Sequence, residues 1–298
     1  MEWISSAKFE EIKASGRLPS PKGVALQVVK LTKKDGVGSQ EIAHIVKADP
    51  VLSGKLIKAA NSLIAYQSRP IVSVVDAVGV LGLNMVRQLV LGFSIISESG
   101  ASVCQRFDYA TFWTRSLLTA IAAQHLARQR SLGAAEEVFI LGLLGQVGRL
   151  ALATVYPEEY TQVLEKLGDG DDSELAAIEL AQFGVDHRQM TQAMLADWGV
   201  PRALQVVVYH HENPEQAGFP DGGRDWRLAQ VLHISESLAA VCVAPVRLRR
   251  KLVPQLMLSA ARRGIETDML AALGEGVLRD WREWEGVLAV GHLDIPPF

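Results

Sequence analysis

Apolar residues recur every three to four positions along almost the whole chain, and that spacing leaves room for one class of fold. The periodic stretches are bounded by residues that start and stop helices. Asp49-Pro50 is a start: Asp49 can cap free backbone N–H groups, and Pro50 suits the first helical position. The body VLSGKLIKAANS follows, with Val51, Leu52, Ile57 and Ala59 or Ala60 available for an apolar face. Ser73 and Asp76 resemble a capping box with Asp in place of Glu or Gln. Asp108 stands before the long periodic run YATFWTRSLLTAIAAQHLARQR. SELAAIELAQFG and DHRQMTQAMLADWG each read as cap, amphipathic body and terminating glycine. Gly16, Gly36, Gly82, Gly133, Gly168, Gly184 and Gly199 close such stretches. No Asn-Gly hairpin signal or sustained period-two alternation occurs. The apolar run Gln205–Tyr209 follows Pro201 and leads into His210-His211, so it too is expected to be a buried helix. The expected fold class is all-α.

Composition narrows the function. With 298 residues, 49% hydrophobic and 21% charged, the chain can bury a core, and it lacks the polarity of a disordered segment. No uncharged apolar run approaches the roughly 18 residues of a membrane helix. The start, MEWISSAKFEEIKASG, lacks the apolar run of a signal peptide. Cys104 and Cys242 are the only cysteines, too few for a disulfide framework or a cysteine zinc site. A cytoplasmic protein with no membrane contact is the expectation. Residues 1–100 carry 12 Lys and Arg against 8 Asp and Glu, whereas the remainder carries 18 against 25. Neither half has the basic stripe of a nucleic-acid binder, so nucleic acid is not an expected partner. The densest basic run, Arg247, Arg249, Arg250 and Lys251, reads as a solvated helix start.

Seams fall in the polar stretch SESGASVCQRFD at 97–108, in the acidic turn GDGDDSE at 168–174, and in NPEQAGFPDGGRD at 213–225, the longest expected loop. The histidines are the first candidates for chemistry. His210-His211-Glu212 closes a helix, His187 follows the capping Asp186, and His233 and Glu236 lie on the next helix. Converging helices could join them as metal ligands. Equally, His210 and His211 could be helix-end residues favoured by the macrodipole. The glycine runs GVLGLNM (79–85) and GLLGQVG (142–148) lack the Gly-Lys-Ser/Thr ending of a phosphate loop, and close helix approach explains both better.

Beyond periodicity, the order of several short motifs resembles a known family. LPSPKGVALQVVKLTKK, IAHIVKADPVLSGKLIKAANS and SVVDAVGVLGLNMVRQLVLG are similar to the HDOD domain, a relative of the HD phosphohydrolases and an output module in bacterial signalling. The likeness covers about residues 17–240. It implies a two-lobed helical bundle with a degenerate HD-like core: an N-terminal lobe at 1–103, a C-terminal lobe with closing helices at 104–298, and a remnant pocket in the cleft between them. Trp281 and Trp284 would anchor the closing helices.

HD phosphohydrolases hold metal through a His on one helix, a His-Asp pair on the next, and a closing Asp. In FWTRSLLTA, Arg115 stands where the first His would fall. GLLGQVGRL resembles GLLHDIGKL, so Gly145-Gln146 replaces the His-Asp pair, with Arg149 just beyond. Glu236 takes the place of the closing Asp. His187, His210 and His211 resemble additional histidines of the HD-GYP branch, which cleaves cyclic dinucleotides. Glu212 and Gly218-Phe219-Pro220 echo that branch further. A fixed cation at a ligand position repels a divalent ion. The resemblance therefore implies a pseudo-enzyme with no catalytic residues, no metal and no cofactor. Its remnant pocket would comprise Arg115, Gln146, Arg149, His187, His210, His211 and Glu236. The expected function is non-catalytic regulation through protein partners of a bacterial signalling pathway. The alternatives are a sensor of cyclic dinucleotides or other anionic nucleotides, and a divergent metal-dependent phosphohydrolase.

Overall fold

The structure is a computed structural model that describes residues 3–19, 23–31, 36–63, 70–98, 104–132, 135–168 and 174–288. Among these residues the regular elements are all helical. The chain divides into two compact units: Met1–Pro19 with Ala101–Glu283 and Val290–Phe298, and Ser20–Gly100 with Trp284–Ala289. The first nineteen residues thus cluster with the larger unit.

Helix α1 (Ser6–Ala14) opens the larger unit, with Ser5 capping it through Lys8 N–H. Five helices make up most of the smaller one: α2 (Gly23–Leu31), α3 (Ser39–Val46), α4 (Pro50–Leu63), α5 (Val74–Leu81) and α6 (Leu83–Glu98). Two of their starts follow from the residues named above. Asp49 Oδ1 accepts from Leu52 N–H at 3.0 Å, and Ser73 Oγ accepts from Asp76 N–H at 3.1 Å. Ile42, Leu56, Val86 and Leu89 are among the residues that fill this unit's core. Gly79 and Gly82 do not serve close packing, because a Cβ at either would meet nothing within 4 Å. Gly82 instead has φ +77°, which favours glycine, and there α5 and the start of α6 bend by 114°.

The larger unit continues with α7 (Tyr109–Gln129), α8 (Ala135–Leu144), α9 (Val147–Val155), α10 (Pro157–Leu167) and α11 (Leu175–Phe183). Helices α12 (His187–Asp197) and α13 (Arg202–His210) come next, so the run at Gln205–Tyr209 is helical. A 3-10 turn at Pro214–Ala217 then breaks up the segment expected to be one long loop. The unit also contains α14 (Arg224–Val243), α15 (Val246–Arg262) and most of α16 (Thr267–Leu288), the residues up to Glu283. Helix α7 forms the axis and packs most extensively on α14 and α8. It is buried along nearly its whole length, which explains why its apolar residues do not confine themselves to one stripe. Glu137–Val155 is apolar and long enough to cross a membrane, but it spans α8 and α9 and 89% of it is buried. The basic run opens α15; Arg249 turns back to donate to the Ala244 carbonyl at 2.9 Å, while Arg250 and Lys251 are exposed. Trp281 is in the core, whereas the Trp284 side chain, Gly133 and most of the acidic turn at 168–174 lie outside the described residues.

Glycines in the second run do set helix spacing. A Cβ on Gly142 would lie 2.8 Å from Ala120 Cα, so α8 can approach α7 closely only without a side chain there. A Cβ on Gly148 would lie 2.0 Å from the His187 carbonyl oxygen. Gly148 N–H also donates to Thr191 Oγ1 at 2.9 Å, fastening α9 to the helix that begins at His187.

Candidate functional site

Five segments of the larger unit bring polar side chains to one buried place. Arg115 comes from α7 and Glu236 from the facing α14. Gln146 sits in the two-residue break between α8 and α9, and its side chain makes no capping bond to α9, which leaves it available to the site. His187 is the first residue of α12, held by a full capping box between Asp186 and Gln189. His211 and Glu212 follow the end of α13.

Glu236 lies at the centre. Its Oε1 accepts from Arg115 Nη2 at 3.1 Å and from Gln146 Nε2 at 2.7 Å, and its Oε2 pairs with His211 Nε2 at 2.8 Å. Gln146 donates its other amide hydrogen to Glu212 Oε1 at 2.9 Å. The same oxygen accepts from His187 Nε2 at 2.8 Å. On its far side, His187 meets Glu179 of α11: its backbone N–H donates to Glu179 Oε2 at 2.8 Å, and its ring Nδ1 bonds the same oxygen. Tyr160 donates to Glu179 Oε1 at 2.7 Å, with Arg149 beside its phenol. His211 Nδ1 is tied to the Val208 carbonyl, and its own carbonyl accepts from His233 Nδ1 at 3.0 Å. Every carboxylate oxygen of Glu179 and Glu236 therefore has a donor.

Proton affinities follow from this pairing. Burial would push His187 down, but the carboxylates of Glu179 and Glu212 more than offset it and hold the imidazole at about 10. For His211, burial again works against the charged ring, and Glu236 and Glu212 raise its affinity overall. Burial would raise Glu236 and Glu212; His211 with Arg115 lowers the first, and His187 with His211 lowers the second. With both rings protonated, Arg115, His187 and His211 face Glu179, Glu212 and Glu236, and Arg149 adds a further cation at the Tyr160 end. Buried charges at such density are tolerated only when paired and hydrogen-bonded.

The residues expected to share one pocket do not all meet. Arg115, Gln146, His187, His211 and Glu236 are joined directly, all within the larger unit. Arg149 is displaced to the Tyr160 end of the network. His210 is not among them: its ring packs edge-on against Tyr209 and Phe219, and burial with the nearby Arg188 lowers its proton affinity. His233 is occupied between the His211 carbonyl and Ser259 Oγ. Glu179 and Tyr160 are additions that sequence reasoning did not place. Glu179 stands one turn after Leu175 on the buried face of α11, and an acid on an apolar face was the available signal.

HD-type sites hold divalent ions. His211, Glu212 and Glu236 offer ligand atoms within 4.8 Å of one another, the one such group among the described residues. A divalent ion would compete for Oε1 of Glu236 and Oε1 of Glu212 with the N–H groups of Arg115, Gln146 and His187, and would have to displace the His211 N–H from Oε2 of Glu236. It would also face a guanidinium 3.1 Å from Glu236. As they stand, these residues do not fit a resident metal ion.

An all-α scaffold with this cluster on its central helices defines an HD-like helical protein. The chain belongs to the HDOD family: the HDOD domain profile matches residues 18–214. It is 36% identical to the MmoQ response regulator from Methylococcus capsulatus str. Bath, over 86% of this chain and 96% of that one, with a TM-score of 0.52. An HDOD domain protein of unknown function from Geobacter sulfurreducens is 20% identical, with 94% and 97% covered and a TM-score of 0.64. A Shewanella amazonensis SB2B protein provisionally named a phosphohydrolase is 22% identical, with 96% and 99% covered and a TM-score of 0.68. The last two share the fold. No protein of curated function matches the chain.

Proposed function

We propose that this chain is a regulatory HDOD module that works without catalysis, through contacts with protein partners of a signalling pathway. One observation carries the reading: N–H donors of Arg115 and Gln146 converge on Oε1 of Glu236 and His211 pairs with its Oε2, the oxygens that a hydrolytic metal would need. Activating water for phosphodiester cleavage takes an ion with about three protein ligands and an open position. Here the cationic role belongs to a fixed guanidinium, which has no lone pair to take a proton from water and cannot coordinate water and lower its pKa as a metal ion does. The 36% identity to a protein named a response regulator is in keeping with a place in signalling.

Sensing an anionic nucleotide at this cluster finds less support. Arg115, His187 and His211 already face carboxylates, and an entering phosphate would have to displace them. The test is direct. Purified protein is incubated with Mn²⁺ or Mg²⁺ and either a cyclic dinucleotide or bis(p-nitrophenyl) phosphate. No turnover above buffer is expected, and hydrolysis that a chelator abolishes would contradict the proposal. Affinity capture from the native cell would then identify the partners.

A further inference from the structure

We infer that Arg115 is a built-in substitute for a metal ion: its guanidinium closes a latent one-ion site formed by His211, Glu212 and Glu236, and removing it opens that site to a divalent cation. The inference rests on the non-catalytic reading above and concerns what holds the site in that state.

Three features support it. The ligand atoms are already assembled, within 4.8 Å of one another, on the end of α13 and on α14. An imidazole nitrogen with two carboxylate oxygens suits a borderline ion such as Zn²⁺ or Co²⁺. The cationic group beside them is Arg115, whose Nη2 lies 3.1 Å from Glu236 Oε1, with only 21% of its side chain exposed. Without it, Glu236 would keep His211 and the Gln146 amide but lose its only permanently charged partner, and a divalent ion would restore the balance.

The third feature is Gln146. Its Nε2 bridges Glu212 and Glu236, while its Oε1 is buried with no hydrogen-bond partner. Amide oxygen and nitrogen are nearly equal in size, so a half-turn of the amide exchanges them without repacking. In the present state Gln146 presents donors to two carboxylates, as an ion-free site requires. Turned over, it presents an oxygen between the same two carboxylates, as a fourth ligand would. The turned oxygen gains a partner only when an ion is bound, and the amide N–H groups then occupy the buried position where the oxygen now has none, so the exchange is coupled to ion binding.

The probe is Co²⁺ added to the full chain, read by visible absorption and by thermal unfolding. Arg115→Ala is expected to bind one Co²⁺ per chain, at least about tenfold more tightly than the parent, and to melt higher in its presence. The parent should show neither effect, and adding Glu236→Gln to Arg115→Ala should abolish both. If Arg115→Ala does not fold, Arg115→Gln retains an amide donor for Glu236 and takes its place. Folding of either variant only when Co²⁺ is present also supports the inference. It is overturned if the parent binds Co²⁺ as tightly as the variant, if Glu236→Gln leaves binding intact, or if neither Arg115 variant takes Co²⁺. Those failures are distinct from that of the proposed function, which would appear as hydrolysis by the parent.

Discussion

Replacing Glu179 by Gln would remove one charge from the inner end of the network and almost no volume. Glu179 is fully buried and accepts from the His187 backbone, the His187 ring and the Tyr160 hydroxyl. A Gln amide has one acceptor atom, so it cannot serve both sides as the carboxylate does. Two routes give the size of the effect. Holding His187 at about 10 rather than 6.5 corresponds to about 4 kcal/mol of stabilisation at pH 7. Breaking a buried ion pair by removing one partner costs about 3–5 kcal/mol. Glu212 still faces His187 in the variant, so the expected loss is about 2–4 kcal/mol at pH 7. The direction with pH follows from linkage. A histidine whose affinity is raised on folding contributes fully below its unfolded value of 6.5, and that contribution is lost as pH rises towards 10. Urea unfolding between pH 6 and pH 9 should therefore show the parent losing stability with rising pH, with a shallower slope in Glu179→Gln. Equal slopes in the two proteins, or a parent whose stability does not fall over that range, would refute the reasoning.

Other outcomes follow from single contacts. Gly148→Ala should destabilise by about 3 kcal/mol or more in urea unfolding, because its Cβ would meet the His187 carbonyl and the Thr191 backbone, neither of which can yield without moving α12. Asp49→Ala should lower stability by about 0.5–2 kcal/mol through loss of the α4 cap, and an unchanged urea midpoint would show that the cap contributes nothing. Cys242, whose thiol burial pushes up to about 12, should resist iodoacetamide at pH 8 in the folded protein and react in urea.

What could be read from the residues, and what could not, divides along physical lines. Caps act within three or four residues, so Asp49, Ser73, Asp108 and Asp186 declared their helices from local spacing. The family motif placed Arg115, Gln146 and Glu236 at equivalent positions, and the helices brought them together. His210 and His211 are adjacent in the chain, but the turn of the helix sends one ring to Glu236 and the other to Tyr209 and Phe219. Nothing in a His-His pair says which ring goes where. Glu179 was hidden for a different reason. Within SELAAIELAQFG it stands four residues after Leu175, an acid on an apolar face, but only the packing of α11 beside the start of α12 places it against His187. The two glycine runs looked alike in the sequence, yet Gly148 sits under a neighbouring carbonyl while Gly79 faces open space.

Protein cations, rather than metal ions, balance the buried carboxylates. Elemental analysis of protein purified without chelators and dialysed against metal-free buffer measures this most directly. Well under one divalent ion per chain is predicted, because Arg115, His187 and His211 already pair with Glu236, Glu179 and Glu212. One or more tightly held ions per chain would contradict it.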